Sequence, residues 1–143
     1  MSLIGALRSW RRLDPAARRF SLVAWLLAPP VTVALEVVGF RRVRRVLHVP
    51  VARPRTGSEV DAQRGEELVA RVFAHTLVSG ACLPRSVVQV LTHRVLGHPA
   101  ELVLGVEAAR VGRSEDFEAH AWVEEPGGAR RNESFERLSE SVR

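Results

Sequence analysis

The hydrophobic period of the chain changes at Gly97, and this change constrains the class of fold. Before Gly97, apolar residues recur at helical spacing in two runs, over residues 68–77 and 87–95. After it, residues 100–108 and 117–125 alternate between apolar and polar side chains, which is typical of strands. Helices followed by strands predict an α+β domain in which helices pack on a small antiparallel sheet.

The ends of the two helical runs carry local signals. Ser58 precedes the first run and is expected to cap that helix. The second helix is expected to begin at Cys82, with Pro84 in its first turn, where a missing N–H group costs nothing. Gly97 is expected to end it. The cysteine therefore lies at the start of a helix.

Charge divides the chain into two parts. Residues 1–57 contain eleven arginines and two acids, a net charge of +9, whereas residues 58–143 contain ten arginines and fourteen acids, a net charge of −4. The first part is predicted to be a basic, helical docking segment with a linker, and the second part the main domain. A basic surface suits an anionic membrane or an acidic protein. Nucleic acid is not an expected partner, because no recognition pattern accompanies the charge.

An apolar segment over residues 20–40 is long enough to span a bilayer. Pro29 and Pro30 are expected to break it in the middle, and Glu36 would be costly in lipid. We therefore expect two short helices packed on the rest of the protein. A peripheral anchor at a membrane surface is the alternative.

The chain has one cysteine, so an internal disulfide is excluded and a reducing, cytoplasmic location is expected. A lone cysteine is often a small buried hydrophobe. At a helix start, however, backbone N–H groups and the helix dipole stabilise a thiolate, and the same groups can hold an oxyanion. Cys82 is therefore a candidate nucleophile.

A candidate base follows on the second predicted strand. One face of that strand carries Glu118, His120, Trp122 and Glu124. A return strand over residues 128–135 is expected to complete a hairpin, which would bring Asn132 and Glu133 across from His120. A thiol needs a base, and an imidazole needs a partner that orients it. The order of cysteine, histidine, and amide or carboxylate fits both needs.

Three stretches of the chain, over residues 58–140, resemble one family. "CLPRSVVQVLTHRVLGHPAELVLGVE", "FEAHAWVEE" and "RNESF" are similar to the transglutaminase-like leader peptidases of lasso-peptide biosynthesis. The resemblance implies a papain-like or transglutaminase-like core, with Cys82 as nucleophile and His120 as base. It implies Glu133 as the third catalytic residue, although the family usually has an aspartate there and the turn "EPGGAR" looks one residue longer than usual. Asn132 is the alternative.

The resemblance also implies a reaction and its partners. Such an enzyme removes the leader from a ribosomally made precursor, without a cofactor, before a separate asparagine-synthetase-like cyclase closes the core. A separate leader-binding protein delivers the substrate. Acyl transfer or deamidation by the same residues is one alternative, and a non-catalytic adaptor at a membrane surface is another.

The remaining candidates have plainer interpretations. Arg85, one turn from Cys82, either steadies the thiolate, binds a substrate carboxylate or lies in solvent. Trp122 is expected to form part of the core or the wall of a cleft. His75 and His93 are expected to be exposed or half-buried. No two histidines have ligand spacing on one element, so no metal site is expected.

Overall fold

The computed structural model describes residues 13–47, 60–76, 82–107, 119–125 and 135–137. In these ranges the helices are α1 (Pro15–Val37), α2 (Phe40–Leu47), α3 (Ala62–His75) and α4 (Cys82–Val95). The strands are β1 (Glu101–Glu107), β2 (Ala119–Glu124) and β3 (Phe135–Arg137). The α+β class expected from the change of period is confirmed.

Helix α1 is continuous, so the prediction of two short helices is wrong. Pro29 and Pro30 lie inside it and are exposed. Neither proline can donate a hydrogen bond to the carbonyl four residues earlier, and those carbonyls belong to Trp25 and Leu26. The side chains of Trp25 and Leu26 are also exposed. The two hydrogen bonds are therefore missing on the outer side of the helix, where packing does not depend on them.

The opposite face of α1 forms part of the core. Phe20, Ala24 and Ala28 are completely buried, and the helix contacts both α3 and α4. The expectation that this segment packs on the rest of the protein is confirmed. Length and hydropathy alone would let α1 span a membrane. One face of it contributes to the protein core.

The first turns of α1 and α3 are capped by aspartates that lie near each other. Asp61, and not Ser58, caps α3, because its side chain accepts a hydrogen bond from the Arg64 backbone N–H at 2.7 Å. Asp14 caps α1 and pairs with the Arg64 guanidinium. The hydrogen bond from the Ala17 backbone N–H and the Arg64 charge lower the pKa of Asp14. The predicted domain boundary at residue 57 lies outside the described residues.

Helix α4 ends as the sequence predicts. Gly97 has a φ of 86°, its N–H donates to the Arg94 carbonyl at 3.0 Å, and the His98 N–H donates to the His93 carbonyl at 2.8 Å. This pattern is a Schellman cap, which requires the left-handed conformation that glycine adopts without strain. The Arg94 guanidinium then donates to the Ala100 carbonyl and holds the turn into β1.

The sheet is antiparallel, with the strand order β2-β1-β3. Gly105 on β1 lies opposite His120 on one side and Arg137 on the other. The predicted hairpin is therefore wrong where the structure tests it, since Phe135 pairs with Glu107 of β1 and not with β2. The rest of the predicted return strand lies outside the described residues. The connection over residues 125–134 is long enough to cross two strand spacings, about 10 Å.

His93 is buried, with 1% of its surface exposed, so its predicted exposure is wrong. The reason is that α4 contacts α1, α3 and the sheet, which leaves little of the helix facing solvent. The Phe20 ring meets the imidazole edge-on, with ring centroids 4.9 Å apart. Within the described ranges no hydrogen-bonding group contacts its Nε2 atom. The ring is enclosed by core packing and not by polar partners.

Burial lowers the pKa of His93, the nearby His98 contributes in the same direction and Asp61 opposes both, so that the pKa is about 4. An unfolded histidine has a pKa of about 6.5, so the unfolded chain binds the proton first as the pH falls. The stability that the neutral ring contributes is therefore complete above pH 6.5 and is lost as the pH falls towards 4.

We expect the free energy of unfolding to fall by up to about 3 kcal/mol between pH 7 and pH 4 because of His93. Urea denaturation measures the free energy of unfolding across this pH range for the wild type and for His93→Leu, which has no ionisable side chain at position 93. His75→Asn is the matched control, because His75 is exposed on α3. Parallel pH profiles for the wild type and His93→Leu would contradict the prediction.

Candidate functional site

Cys82 is the first residue of α4 and is half-buried, as the sequence predicts for a cysteine at a helix start. It forms no disulfide. The first four N–H groups of a helix have no partner within the helix, and they carry the positive end of its dipole. A thiol at this position lies where a negative charge on sulfur or on a bound oxygen is stabilised.

The first turns of α4 are joined to β2 by a buried hydrogen bond. The Ser86 hydroxyl donates to the Ala121 carbonyl at 2.8 Å. Residues four apart share a helix face, so Cys82 lies on the side of α4 that carries Ser86, one turn nearer the helix start. His120 is the residue next to Ala121 on β2. The structure thus brings the cysteine end of α4 against the strand segment that carries the histidine.

His120 is half-buried and lies beside an aromatic side chain, as the alternating pattern predicts. Its ring stacks on Trp122, with centroids 6.1 Å apart and an interplanar angle of 23°. Trp122 is buried, and its indole Nε1–H donates to Glu124 Oε1 at 2.8 Å. The carboxylate holds the indole, and the indole limits how the imidazole can tilt.

Glu124 and Ser86 are the two site residues that sequence reasoning did not assign a role. The strand alternation already placed Glu124 on the face of His120 and Trp122, so the signal for it was present. Ser86 had no signal of its own, because its partner Ala121 is 35 positions away in the chain.

The structure does not place the remaining candidate residues together with Cys82 and His120. Arg85 is exposed on α4, which fits its interpretation as a solvated side chain. Asn132 and Glu133 lie outside the described residues, so the third catalytic residue stays a prediction. Pairing between β2 and a return strand would bring them opposite His120, but the described β3 pairs with β1. Their assignment therefore depends on the sequence resemblance.

A second set of contacts holds the end of β2 against the helices. Glu125 Oε1 accepts a hydrogen bond from the Ala62 backbone N–H at 3.1 Å, at the start of α3. The Gln89 side chain of α4 donates to the Ala62 carbonyl at 2.6 Å. The strand that carries His120 is therefore fixed to α3 as well as to α4. No three histidine, cysteine, aspartate or glutamate side chains in the described ranges come together in a way that could hold a metal ion.

A helix that begins with a cysteine, packed on an antiparallel sheet with a histidine on the adjoining strand, is an arrangement of transglutaminase-like α+β domains. The chain belongs to the transglutaminase-like superfamily, because the sequence model of that family matches residues 25–140. This superfamily includes cysteine proteases and acyltransferases, and its fold indicates cysteine-dependent catalysis. Comparison with curated proteins and with solved structures gave no match.

The hydrogen bond between Ser86 and Ala121 generates a prediction about stability. We expect Ser86→Ala to lower the free energy of unfolding by about 1–3 kcal/mol, because a buried bond between helix and strand is lost. Urea denaturation measures the change.

The matched control is Thr92→Val. The Thr92 hydroxyl donates to the Val88 carbonyl within α4, at 2.7 Å, and is equally buried. The Val88 carbonyl also accepts a backbone hydrogen bond within the helix, so it keeps a partner when the Thr92 hydroxyl is removed. Thr92→Val is therefore expected to lower the free energy of unfolding by less than Ser86→Ala. Equal losses in the two variants would contradict a role for Ser86 in joining α4 to β2.

Proposed function

We propose that the protein is a cysteine peptidase that removes the leader from a ribosomally synthesised lasso-peptide precursor. One observation carries the proposal: Ser86 ties the cysteine end of α4 to β2 beside His120. Membership of the transglutaminase-like superfamily supports cysteine-dependent catalysis. The resemblance of "CLPRS" and "HAWVE" to lasso-peptide leader peptidases supports the choice of substrate.

In the acylation step, His120 takes the proton from the Cys82 thiol, and the thiolate attacks the carbonyl carbon between leader and core. Backbone N–H groups at the start of α4 donate to the oxyanion of the tetrahedral intermediate. The carbon–nitrogen bond then breaks as His120 returns its proton to the leaving amine. The core departs with a new N-terminal amine, and the leader remains on Cys82 as a thioester.

In the deacylation step, a water molecule attacks the thioester while His120 takes its proton. The carbon–sulfur bond breaks, the leader leaves with a carboxyl group, and the proton returns to the Cys82 sulfur. The amine exposed on the core is the group that a cyclase then joins to a side-chain carboxylate.

The surroundings of His120 support its role as the base. Its stacking on Trp122, which Glu124 holds by a hydrogen bond, restricts the imidazole to a narrow set of orientations. A base must lie within hydrogen-bond reach of its proton throughout the reaction, so restricting the ring aids both proton transfers. Glu133 is proposed as the residue that orients the second ring nitrogen, with Asn132 as the alternative.

The proposed reaction needs other proteins. The substrate is the precursor peptide, a separate leader-binding protein delivers it, and an asparagine-synthetase-like cyclase uses the product. We place the reaction in the cytoplasm, where a lone catalytic thiol stays reduced. Exposed Arg85, one turn from Cys82, is available to bind a substrate carboxylate.

A second candidate is acyl transfer or deamidation, because the superfamily includes acyltransferases and the thioester is common to all three reactions. The products distinguish them. Hydrolysis of the precursor yields two fragments whose masses add up to the precursor plus one water. Transfer instead yields two fragments whose masses add up to the precursor plus the acceptor amine, and deamidation leaves the precursor uncut, with a side-chain amide converted to a carboxyl group and ammonia released. A non-catalytic adaptor would give neither product, and its thiol would resist iodoacetamide.

We expect Cys82→Ala and His120→Ala each to abolish leader removal while the fold remains intact. The variants are incubated with precursor and leader-binding protein, and the products are read by mass spectrometry. His75→Ala is the matched histidine control, because His75 is exposed on α3, and it should cleave normally. Retained cleavage by folded Cys82→Ala would falsify the peptidase assignment.

A weaker effect is expected at the third position. If Glu133 orients His120, Glu133→Gln should lower kcat with little change in substrate binding, and Asn132→Ala should do less. Steady-state cleavage kinetics with the same precursor measure both. The opposite ranking would assign the orienting role to Asn132.

A further inference from the structure

The outward face of α1 is apolar along most of its length. Five large apolar residues on this face are each more than half exposed: Leu22, Trp25, Leu26, Val33 and Val37. At 100° per residue these positions and the exposed Pro29 and Pro30 fall within an arc of about 140°. We call these seven residues the apolar stripe. It is about 22 Å long at 1.5 Å per residue.

The apolar stripe is uncharged as far as Leu35; the exposed Glu36 lies in the same arc beside Val37, at the end nearer α2. Between Arg19 and Glu36 the sequence of α1 has no charged residue on any face. The inner face of α1 packs in the core, so the stripe lies on a helix that is fixed in the fold. It is a ridge, uncharged up to Glu36, on a helix that the fold holds in place.

A basic surface adjoins the end of this ridge. On α2 the exposed residues include Arg41, Arg42 and Arg45, whereas Val43 and Leu47 are buried. Through its buried side α2 contacts α1 and α4. The arginines therefore lie on the exposed side of a helix that begins three residues after Val37, the last residue of the stripe.

We propose that the apolar stripe and the exposed arginines of α2 bind the protein to an anionic phospholipid surface. Apolar side chains enter the boundary between headgroups and acyl chains, and arginines attract the negative headgroups; this is the pattern of peripheral amphipathic helices. Trp25 suits the interface, where an aromatic ring has one apolar and one polar side.

The structure favours a peripheral position over a span. Phe20, Ala24 and Ala28 are buried in the protein, so α1 cannot be surrounded by lipid without unpacking the core. Pro29 and Pro30 also deprive two carbonyls of their helical donors, and such carbonyls need the water that is present only near the headgroups.

Charge and shape favour lipid over a protein partner. The stripe is a convex ridge of aliphatic, proline and indole side chains, and in it only the indole N–H of Trp25 can form a side-chain hydrogen bond. A specific protein partner is recognised through placed polar contacts as well as apolar area, and a lipid surface needs none. The leader-binding protein is the rival occupant, and the experiment includes it.

The experiment is flotation of the whole protein with phospholipid vesicles. We expect binding to vesicles containing about one third phosphatidylglycerol, loss of binding when the salt concentration is raised towards 0.5 M, and weak binding to pure phosphatidylcholine. Arg45→Glu should lower the partition coefficient about five-fold or more, since each basic residue contributes about 1 kcal/mol near an anionic surface. Leu26→Ser should lower it at least about five-fold through lost apolar burial.

Matched controls lie outside the proposed surface. Arg71→Glu changes the net charge by the same amount as Arg45→Glu, from an exposed position on α3. Val95→Ser removes an exposed apolar side chain at the end of α4, as Leu26→Ser does on α1. Both controls should bind vesicles almost as the wild type does, and circular dichroism should show an unchanged fold in all four variants.

Three results would overturn the proposal. The first is a wild-type protein that does not float with anionic vesicles. The second is equal binding by the stripe variants and their controls. The third is a loss of affinity for purified leader-binding protein in Arg45→Glu and Leu26→Ser while vesicle binding does not change, which would make the surface a protein docking site. Flotation needs no precursor, so its result is independent of the proposed peptidase activity.

Discussion

The position of the candidate site depends on a close approach of three helices at Gly65. A Cβ atom there would lie 2.9 Å from His93 Nε2 and 3.2 Å from the Phe20 ring, so only a residue without a side chain lets α3 meet α4 and α1 at this distance. Gln89 approaches the same point and binds the start of α3. This contact helps to fix the position of α4 and therefore of Cys82.

From this contact the arrangement extends to the sheet. Ser86 joins the cysteine end of α4 to β2, and Glu125 joins the end of β2 to the start of α3. Helix, strand and helix thus form a closed set of contacts that includes the strand carrying His120. The candidate base is held on a strand fixed at two points, and precise positioning of this kind is what proton transfer within hydrogen-bond distance requires.

The sequence predicts what local physics determines. The helix start at Cys82, its end at Gly97 and the strand bearing His120 all follow from period and turn chemistry, and the structure confirms them. The burial of His93, the bond of Ser86 and the pairing of β3 depend on residues far away in the chain. No local pattern records such contacts. The family resemblance indicated the class of site, but the third catalytic residue lies outside the described residues.

Different contacts hold the two ends of α4. The Schellman cap at Gly97 and the hydrogen bonds from Arg94 to Ala100 secure the far end of the helix through neighbouring residues alone. None of these contacts involves the first turn. The Cys82 end is held separately, by the hydrogen bond from Ser86 to β2. A substitution in the cap is thus expected to disturb the far end of α4 first, whereas a substitution at Ser86 is expected to disturb the end that carries the thiol.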